Sequence, residues 1–333
     1  MFSLVGQQLG NYHLHALLGR GGFADVYLGE HLLLQTHAAI KVLHAEMTGQ
    51  ELQRFIQEAR TVAQLRHANI IRVLDFGVSG TTSFLVMDFA VYGSLHHLHP
   101  HGTLLPLATI VSYVKQIASA LHYAHQQEII HRDVKPENLL MDAEGSLLLS
   151  DFGLAIPVRS TQSSAIQAPF GTVRYMAPEQ IRGKACPASD QYALAVIVYE
   201  WLSGTYPFDG ESSISIAVHH LIDPPPALRE RIPDLAPSIE QVVMRALAKE
   251  PSERYPTILA FAEALKAACE PYIQSEMCGN DDFQVYLAAQ SINNPSWANI
   301  SMELTLPVEP DRVSMSDNEV SLLFEGDALT QVI

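Results

Sequence analysis

The sequence predicts an α+β protein that is mainly β-structure in residues 1–92 and mainly helical in residues 93–270. Three observations carry this prediction. Residues 12–18 alternate apolar and polar side chains and lead through a glycine-rich turn into a second strand-like run. Apolar residues recur at helical spacing between residues 110 and 121. The almost uninterrupted apolar run after Ser189 predicts a helix buried on all sides.

The same two patterns, alternation for strands and helical spacing for helices, predict the remaining elements. A short run rich in β-type residues at 38–43 predicts a strand, and apolar residues at helical spacing predict an amphipathic helix over 52–65. Further apolar runs predict strands over 70–76 and 83–87, and a hairpin formed by 139–141 and 147–149.

Composition limits the class of protein. The 333 residues are 48% hydrophobic, which is enough to bury a sizeable core, and the net charge is −16. This charge argues against nucleic acid as the main partner, because a phosphate backbone requires clustered cations. No apolar run reaches the roughly 20 residues that a membrane helix needs, and no targeting segment is readable at the start of the sequence. We therefore expect a cytoplasmic protein without a membrane span.

The acidic excess is concentrated at the C-terminal end. From residue 271 onward, ten Asp and Glu residues face one Arg, so this tail carries −9 of the net charge. We expect residues 271–333 to be a largely disordered tail. The alternating apolar residues at 300–308 leave one short strand open as an alternative.

The stretch from His131 to Asn138, read His-Arg-Asp-Val-Lys-Pro-Glu-Asn, predicts a phosphoryl-transfer loop. Asp133 can accept the proton of a substrate hydroxyl, and Lys135 can stabilise charge on a transferring phosphate. Asn138 can bind Mg²⁺ through a hard oxygen ligand. A carboxylate, a cation and an amide at this spacing supply three groups that such a reaction needs.

Two further features fit the same chemistry. The glycine-rich turn after residue 18 joins strand to strand, whereas a dinucleotide fingerprint would lead into a helix. Gly19 and Gly21 would let the backbone approach phosphate oxygens. Lys41 lies in a short strand, where a buried ammonium needs a partner, and Glu58 at the edge of the helical stripe of 52–65 is the expected one.

These residues resemble the motifs of bacterial serine/threonine protein kinases of the eukaryotic-like (Hanks) type. The catalytic-loop pattern His-Arg-Asp-x-Lys-Pro-x-Asn is matched throughout, and Asp151-Phe-Gly and Ala177-Pro-Glu follow it. The glycine-rich loop departs from the family pattern because Ala24 replaces the third glycine. The resemblance ends after Glu270.

The resemblance implies a two-lobed protein-kinase fold, with an N-lobe in residues 1–92 and a C-lobe in residues 93–270. It implies ATP bound between the lobes together with Mg²⁺, with Mn²⁺ as an alternative ion. The implied metal ligands are Asn138 and Asp151, and the catalytic residues are Asp133, Lys135 and Asn138. The implied nucleotide-binding residues are Leu18, Gly19, Gly21, Val26, Ala39, Lys41, Glu58, Met87, Asp88, Ala90 and Leu140.

The resemblance also implies a substrate class and a regulatory segment. Lys135 and Thr172 favour serine or threonine over tyrosine as the acceptor in protein substrates. Phosphorylation within Ser160, Thr161, Ser163 and Ser164 would order the activation segment by pairing with Arg132, and self-association would serve autophosphorylation. The resemblance further implies that Asp190 anchors the catalytic loop and that Arg254 pairs with Glu179.

Two alternatives remain open from the sequence. A catalytically silent pseudokinase scaffold is disfavoured, because it would not need Lys41, Glu58, Asp133, Asn138 and Asp151 together. A small-molecule phosphotransferase is disfavoured by the complete Ala-Pro-Glu segment, which resembles a platform for a polypeptide substrate.

Overall fold

A computed structural model of the chain describes residues 3–22, 24–44, 49–152 and 170–276. The side chains of Glu58 and of several other α1 residues are outside this description. The chain divides into two compact units, of which the second, residues 286–333, also lies outside it.

The first part of the chain forms an antiparallel sheet of six strands in the order β1-β2-β3-β4-β6-β5. The strands are β1 Gln8–Leu9, β2 Tyr12–Arg20, β3 Ala24–His31, β4 His37–Leu43, β5 Val73–Ser79 and β6 Thr82–Met87. Successive residues of a strand point to opposite faces. Ile40 of β4 is therefore buried with Leu14 and Val86 in one core, whereas Ala39 packs in a second cluster on the other face.

Helices dominate the rest of the described chain. They are α1 Gly49–Ala63, α2 Leu95–Leu98, α3 Leu107–Gln126, α4 Phe170–Val173, α5 Pro178–Ile181, α6 Pro187–Ser203, α7 Ser213–Ile222, α8 Leu228–Arg231, α9 Pro237–Ala246 and α10 Ile258–Glu276. A small sheet of β7 Gly93–Ser94, β8 Leu139–Met141 and β9 Leu147–Leu149 lies beside them. Short 3-10 helices cover Pro136–Asn138 and Pro251–Glu253.

Helix α6 is the centre of the helical part. Every residue from 189 to 202 is buried, as its largely apolar sequence predicts, and α3, α9 and α10 pack around this helix. Its C-terminus is closed by Gly204 in the left-handed conformation (φ 70°). Residues 188–190 at its N-terminus face the catalytic loop and the segment before α6, so the core helix also supports the site.

A buried ion pair joins the segment that contains α5 to the start of α10. Arg254 donates to Glu179 through both terminal nitrogens at 2.8 Å, and Ser189 donates to the same carboxylate at 2.7 Å. Burial by itself would raise the pKa of Glu179, but the hydrogen bonds and charge of Arg254 outweigh it and lower that pKa. This contact confirms the expected pairing.

The predicted α+β fold, with a β-rich N-lobe and a helical C-lobe, is confirmed.

One strand begins later than predicted. Ile70 and Ile71 are buried, but Ile71 donates its N–H to Leu149 of β9, and β5 starts only at Val73. Helix α10 continues six residues past the expected boundary at 270, to Glu276. The prediction for residues 277–333 concerns a part of the chain that lies outside the described residues.

None of the described helices combines the length and the apolar character that crossing a membrane requires.

Replacing Arg254 with Met should lower the free energy of unfolding by about 3–5 kcal/mol, because Glu179 would remain buried without its partner. Denaturant unfolding measures this change. Arg245→Met is the matched control: Arg245 is exposed and lies 4.3 Å over the Tyr255 ring. The Arg245→Met substitution should lower the free energy of unfolding by less than about 1 kcal/mol. Equal losses for the two variants would contradict the assignment.

The same pair predicts an acid-dependent loss of stability. The folded-state pKa of Glu179 lies below its ordinary value of 4.5. The stabilisation is therefore complete above that value and is lost as pH falls through the folded-state pKa. The difference in unfolding free energy between the parent and Arg254→Met should narrow as pH falls below 4.5. A difference that stays constant over this range would show that the charge of Glu179 is not its source.

Candidate active site

The loop between α3 and β8 is held from beneath by one buried carboxylate. Asp190 of α6 is 1% exposed and accepts the backbone N–H groups of His131 and Arg132, both at 2.9 Å. His125 of α3 donates to the same carboxylate at 2.7 Å. This confirms Asp190 as the anchor of the loop, and it fixes Arg132 in a left-handed conformation (φ 67°).

His131 is the second support of the loop. Its ring is fully buried, with Nε2 2.8 Å from the carbonyl oxygen of Ser150, and its Nδ1 accepts the N–H of Asp133 at 3.2 Å. These two contacts assign the ring proton to Nε2. The ring also lies 4.6 Å from that of Phe152, which is 2% exposed. The loop is thereby joined to the segment after β9, which carries Asp151.

The side chains expected to be catalytic converge on Asp133. Lys135 Nζ lies 2.8 Å from Asp133 Oδ2 and donates to Thr172 Oγ1 at 3.0 Å. Asn138 donates to Asp133 Oδ2 at 3.0 Å and to its carbonyl oxygen at 2.7 Å. Among the described residues, Asp133 Oδ1 makes no such bond. One carboxylate oxygen is therefore held by two donors, and the other has none among the described residues.

Lys41 and Asp151 form the contact between β4 and the residues after β9. Lys41 Nζ lies 2.6 Å from Asp151 Oδ1. Burial alone would raise the pKa of Asp151, but the charge and hydrogen bond of the Lys41 ammonium outweigh burial, with a smaller contribution from Lys135, and lower that pKa. Asp151 is therefore ionised at neutral pH. The predicted partner of Lys41, the Glu58 side chain, lies outside the described residues.

The glycine-rich turn lies between β2 and β3 and leaves little room for a side chain at Gly21. The N–H of Gly21 donates to the carbonyl oxygen of Ala24 at 2.8 Å. A Cβ on Gly21 would lie 3.0 Å from that oxygen, which is closer than most Cβ atoms in proteins approach another atom. Beside the turn, Gly19 pairs with Val26, and Val26 pairs with Lys41. The turn is therefore adjacent to Lys41.

Five of the predicted nucleotide-binding side chains meet in one apolar cluster. Ala39 and Met87 are its buried members among this set, and Leu18, Val26 and Leu140 pack against them partly exposed. Leu140 belongs to β8, whereas the others belong to the six-stranded sheet. These side chains therefore bring apolar surface of the two sheets together, which is the kind of surface on which a flat ring can pack.

The segment after β6 is expected to bind the edge of that ring through its backbone. The N–H of Asp88 donates to the carbonyl oxygen of Arg72 at 3.1 Å, and its carboxylate accepts two bonds from the Arg72 guanidinium. Of the two backbone groups of Asp88, the carbonyl oxygen makes no hydrogen bond within the described part of the chain and could bind a ligand. Ala90 is buried and accepts the N–H of Gly93 at 3.1 Å.

Asp151 and Asn138 form a suitable donor set for Mg²⁺. An ionised carboxylate and a side-chain amide oxygen are the hard ligands this ion prefers. Because the Asn138 nitrogen donates to two oxygens of Asp133, its amide oxygen is directed away from that residue. Among the described residues, His, Cys, Asp and Glu form no group of three able to hold a metal. A metal here would therefore need further oxygens, such as those of a phosphate.

The amino-acid sequence of the chain also matches a protein-family model. Residues 12–273 match the model described as a protein kinase domain. The chain belongs to the protein kinase family. Proteins of this family use ATP with a divalent metal ion and act on protein substrates.

Several curated relatives are similar along most of the kinase domain. The serine/threonine-protein kinase PrkC of Bacillus subtilis is 36% identical over 80% of this chain, and Pkn1 of Myxococcus xanthus is 38% identical over 81%. PknL of Mycobacterium bovis is 36% identical over 78%. The chain spans 42%, 40% and 66% of the lengths of these three proteins.

The sequence analysis assigned no role to His125, which the structure places against Asp190. One clue was present: His125 lies four residues after Leu121, so it continues the apolar face of α3. A polar side chain on a buried face needs a partner, and Asp190 provides it. The candidate phosphorylation sites at 160, 161, 163 and 164 lie outside the described residues.

Asp190→Asn should loosen the catalytic loop, because a single amide oxygen replaces a charged acceptor of two backbone N–H groups. The amides of His131 and Arg132 should exchange with deuterium about tenfold faster or more. Hydrogen exchange read by mass spectrometry or NMR measures this.

Asp142→Asn is the matched control for this measurement. Asp142 also accepts two backbone N–H groups, those of Glu144 and Ser146, but in the turn between β8 and β9. The control should change exchange only in that turn. Unchanged exchange in the catalytic loop of Asp190→Asn would contradict its role as anchor.

Proposed function

We propose that this chain is a serine/threonine protein kinase that transfers the γ-phosphate of ATP to protein hydroxyl groups. The supporting observation is the geometry at Asp133: Lys135 and Asn138 contact one of its oxygens within 3.0 Å, and the other makes no bond among the described residues. The named relatives are serine/threonine-protein kinases.

Each residue near Asp133 receives a distinct role in this proposal. Asp133 Oδ1 orients the acceptor hydroxyl and takes its proton, while Oδ2 is held by Lys135 and Asn138. Lys135 stabilises charge on the transferring phosphoryl group, and its bond to Thr172 ties it to the segment before α5. The reacting groups are thereby fixed before the hydroxyl arrives, which lowers the entropic part of the barrier.

ATP would lie in the cleft between the two sheets. The adenine ring would pack between Val26 and Ala39 on one side and Leu140 on the other, with Met87 at the back. Lys41 would bind the α and β phosphates, and the glycine-rich turn would cover them with backbone N–H groups. Mg²⁺ held by Asn138 and Asp151 would neutralise phosphate charge.

A polypeptide acceptor is favoured over a small molecule. A recess beside Asp133 is lined by Thr172, Tyr175 and Met176, all from the segment that ends in Ala177-Pro-Glu. Glu179 at its end is fixed by Arg254, so this segment forms a firm platform next to the reacting hydroxyl. Lys135 bonded to Thr172 is the serine/threonine-type arrangement that the sequence implied.

Regulation by phosphorylation is part of the proposal. A phosphate within residues 160–164 would pair with Arg132, whose backbone is held on both sides, by Asp190 at its N–H and by Gln180 at its carbonyl. Another copy of this chain would transfer that phosphate from ATP, leaving ADP, during transient self-association. Intact mass and fragmentation after incubation with ATP test this step directly.

Asp133→Asn should lower kcat for phosphate transfer by about 100- to 10 000-fold, because the amide cannot take the proton of the acceptor. ATP binding should be retained, since Asp133 is assigned no contact with the nucleotide. Transfer of labelled γ-phosphate to a histone preparation, followed by phosphoamino-acid analysis, measures the loss and the acceptor type.

The same substitution at Asp142, on the β8–β9 turn, is the control and should leave kcat unchanged. Labelled serine or threonine in the parent, absent in Asp133→Asn, would support the proposal. A parent that binds ATP and Mg²⁺ yet labels no protein would favour the scaffold alternative.

A further inference from the structure

A cluster of polar and aromatic side chains lies beneath the substrate platform, and the proposed chemistry does not use it. Glu200 of α6 is at its centre, with only 8% of its side chain exposed. The hydroxyl of Tyr175 donates to Glu200 Oε2 at 3.0 Å, and His101 Nδ1 lies 2.8 Å from Glu200 Oε1. Each oxygen of this buried carboxylate therefore has one donor.

His101 contacts the cluster in two independent ways. Its ring stacks on that of Tyr206, with centroids 4.2 Å apart and planes 9° apart, and its Nδ1 bonds to Glu200. The guanidinium of Arg174 lies 4.5 Å from the same Tyr206 ring. His101 is itself 47% exposed in its side chain. It is thus a surface residue with a direct bond to a buried charge.

The loop that carries His101 is fixed to the helix that carries Glu200. The N–H of Leu105 donates to the carbonyl oxygen of Trp201 at 3.0 Å. Gly204 lies so close to this loop that a Cβ there would meet the carbonyl oxygen of Gly102 at 3.2 Å. The loop therefore presents His101 to Glu200 in one position.

A series of hydrogen bonds connects the cluster to Lys135 and Asp133. Glu200 holds Tyr175, and the N–H of Tyr175 donates to the carbonyl oxygen of Thr172. Thr172 bonds to Lys135, which contacts Asp133. Burial and the Glu200 charge raise the pKa of Tyr175, so its hydroxyl stays protonated and remains a donor.

We propose that His101 is a positioning residue for the acceptor, which sets the substrate platform by holding Glu200 and, through it, Tyr175. This inference rests on the proposed kinase activity for its kinetic consequence, but its structural consequence does not depend on activity. Losing the donor leaves one oxygen of a buried carboxylate without its partner. Glu200 then shifts or recruits water, and the Tyr175 hydroxyl loses a fixed acceptor.

Two variants separate the hydrogen bond from the ring contact. His101→Phe keeps a ring for stacking on Tyr206 but has no donor. His101→Asn places an amide nitrogen near the position of Nδ1 but has no ring. His122→Phe is the control for a histidine-to-phenylalanine change, because His122 lies on α3 and contacts Gln126 at 3.1 Å, away from the platform.

Steady-state kinetics with a histone preparation as acceptor provide the first readout. His101→Phe should raise KM for the acceptor about tenfold, the loss expected for one hydrogen bond to a charged group, while KM for ATP stays unchanged. His101→Asn and His122→Phe should retain the KM of the parent. If His101 only stabilised the fold, its replacement would lower the active fraction of the enzyme, and therefore kcat. KM for the acceptor would then stay unchanged. Equal acceptor KM values for parent and His101→Phe would overturn the inference.

Limited trypsin digestion provides a readout that needs no catalysis. Cleavage after Arg174, relative to cleavage after Arg229 on α8, should be faster in His101→Phe than in the parent or His101→Asn. If the parent transfers no phosphate but this difference appears, the kinase proposal fails and the positioning of the platform stands. If the parent is active and neither KM nor cleavage changes, the positioning inference fails alone.

Discussion

The active-site geometry depends on one buried carboxylate. Asp190 lies on a helix that is buried on all sides, and it satisfies two backbone N–H groups of the catalytic loop and the ring of His125. Arg132 in that loop has φ 67°, a conformation that costs a non-glycine residue about 1–3 kcal/mol. The three bonds to a charged acceptor offset this strain. They hold because α6 excludes the water that would compete for them.

The remaining contacts of the site follow from a fixed loop. With His131 and Arg132 in place, the 3-10 turn Pro136–Asn138 returns Asn138 to Asp133, and Lys135 reaches both Asp133 and Thr172. Charge is balanced locally: two carboxylates, Asp133 and Asp151, face two ammonium groups, Lys135 and Lys41. The charged groups of such a site are therefore held in place by contacts within the protein. They do not have to rearrange during the reaction, which is the condition for electrostatic catalysis.

The residues proposed to perform chemistry were chosen from the sequence, because the types and spacing of such residues are constrained by the reaction itself. Asp133, Lys135 and Asn138 lie within one loop, and the Glu179 to Arg254 pair followed from the family resemblance. Partners chosen by tertiary packing were not predictable. The contacts of His125 with Asp190 and His101 with Glu200 join residues 65 and 99 positions apart. The apolar face of α3 indicates that His125 is buried but not which residue it contacts, and nothing in the local sequence indicates a partner for His101. The late start of β5 has the same origin, since the buried run before it pairs with β9.

The segment from Asp151 to Glu179 is anchored at both of its ends. Lys41 holds the first end and Arg254 the second, each through a short ionic contact. Residues 153–169 lie between these two held segments, and a chain tethered at both ends has less conformational entropy to lose than a free tail of the same length. Under the proposed regulation, a phosphate added within this stretch would have correspondingly less free energy to supply.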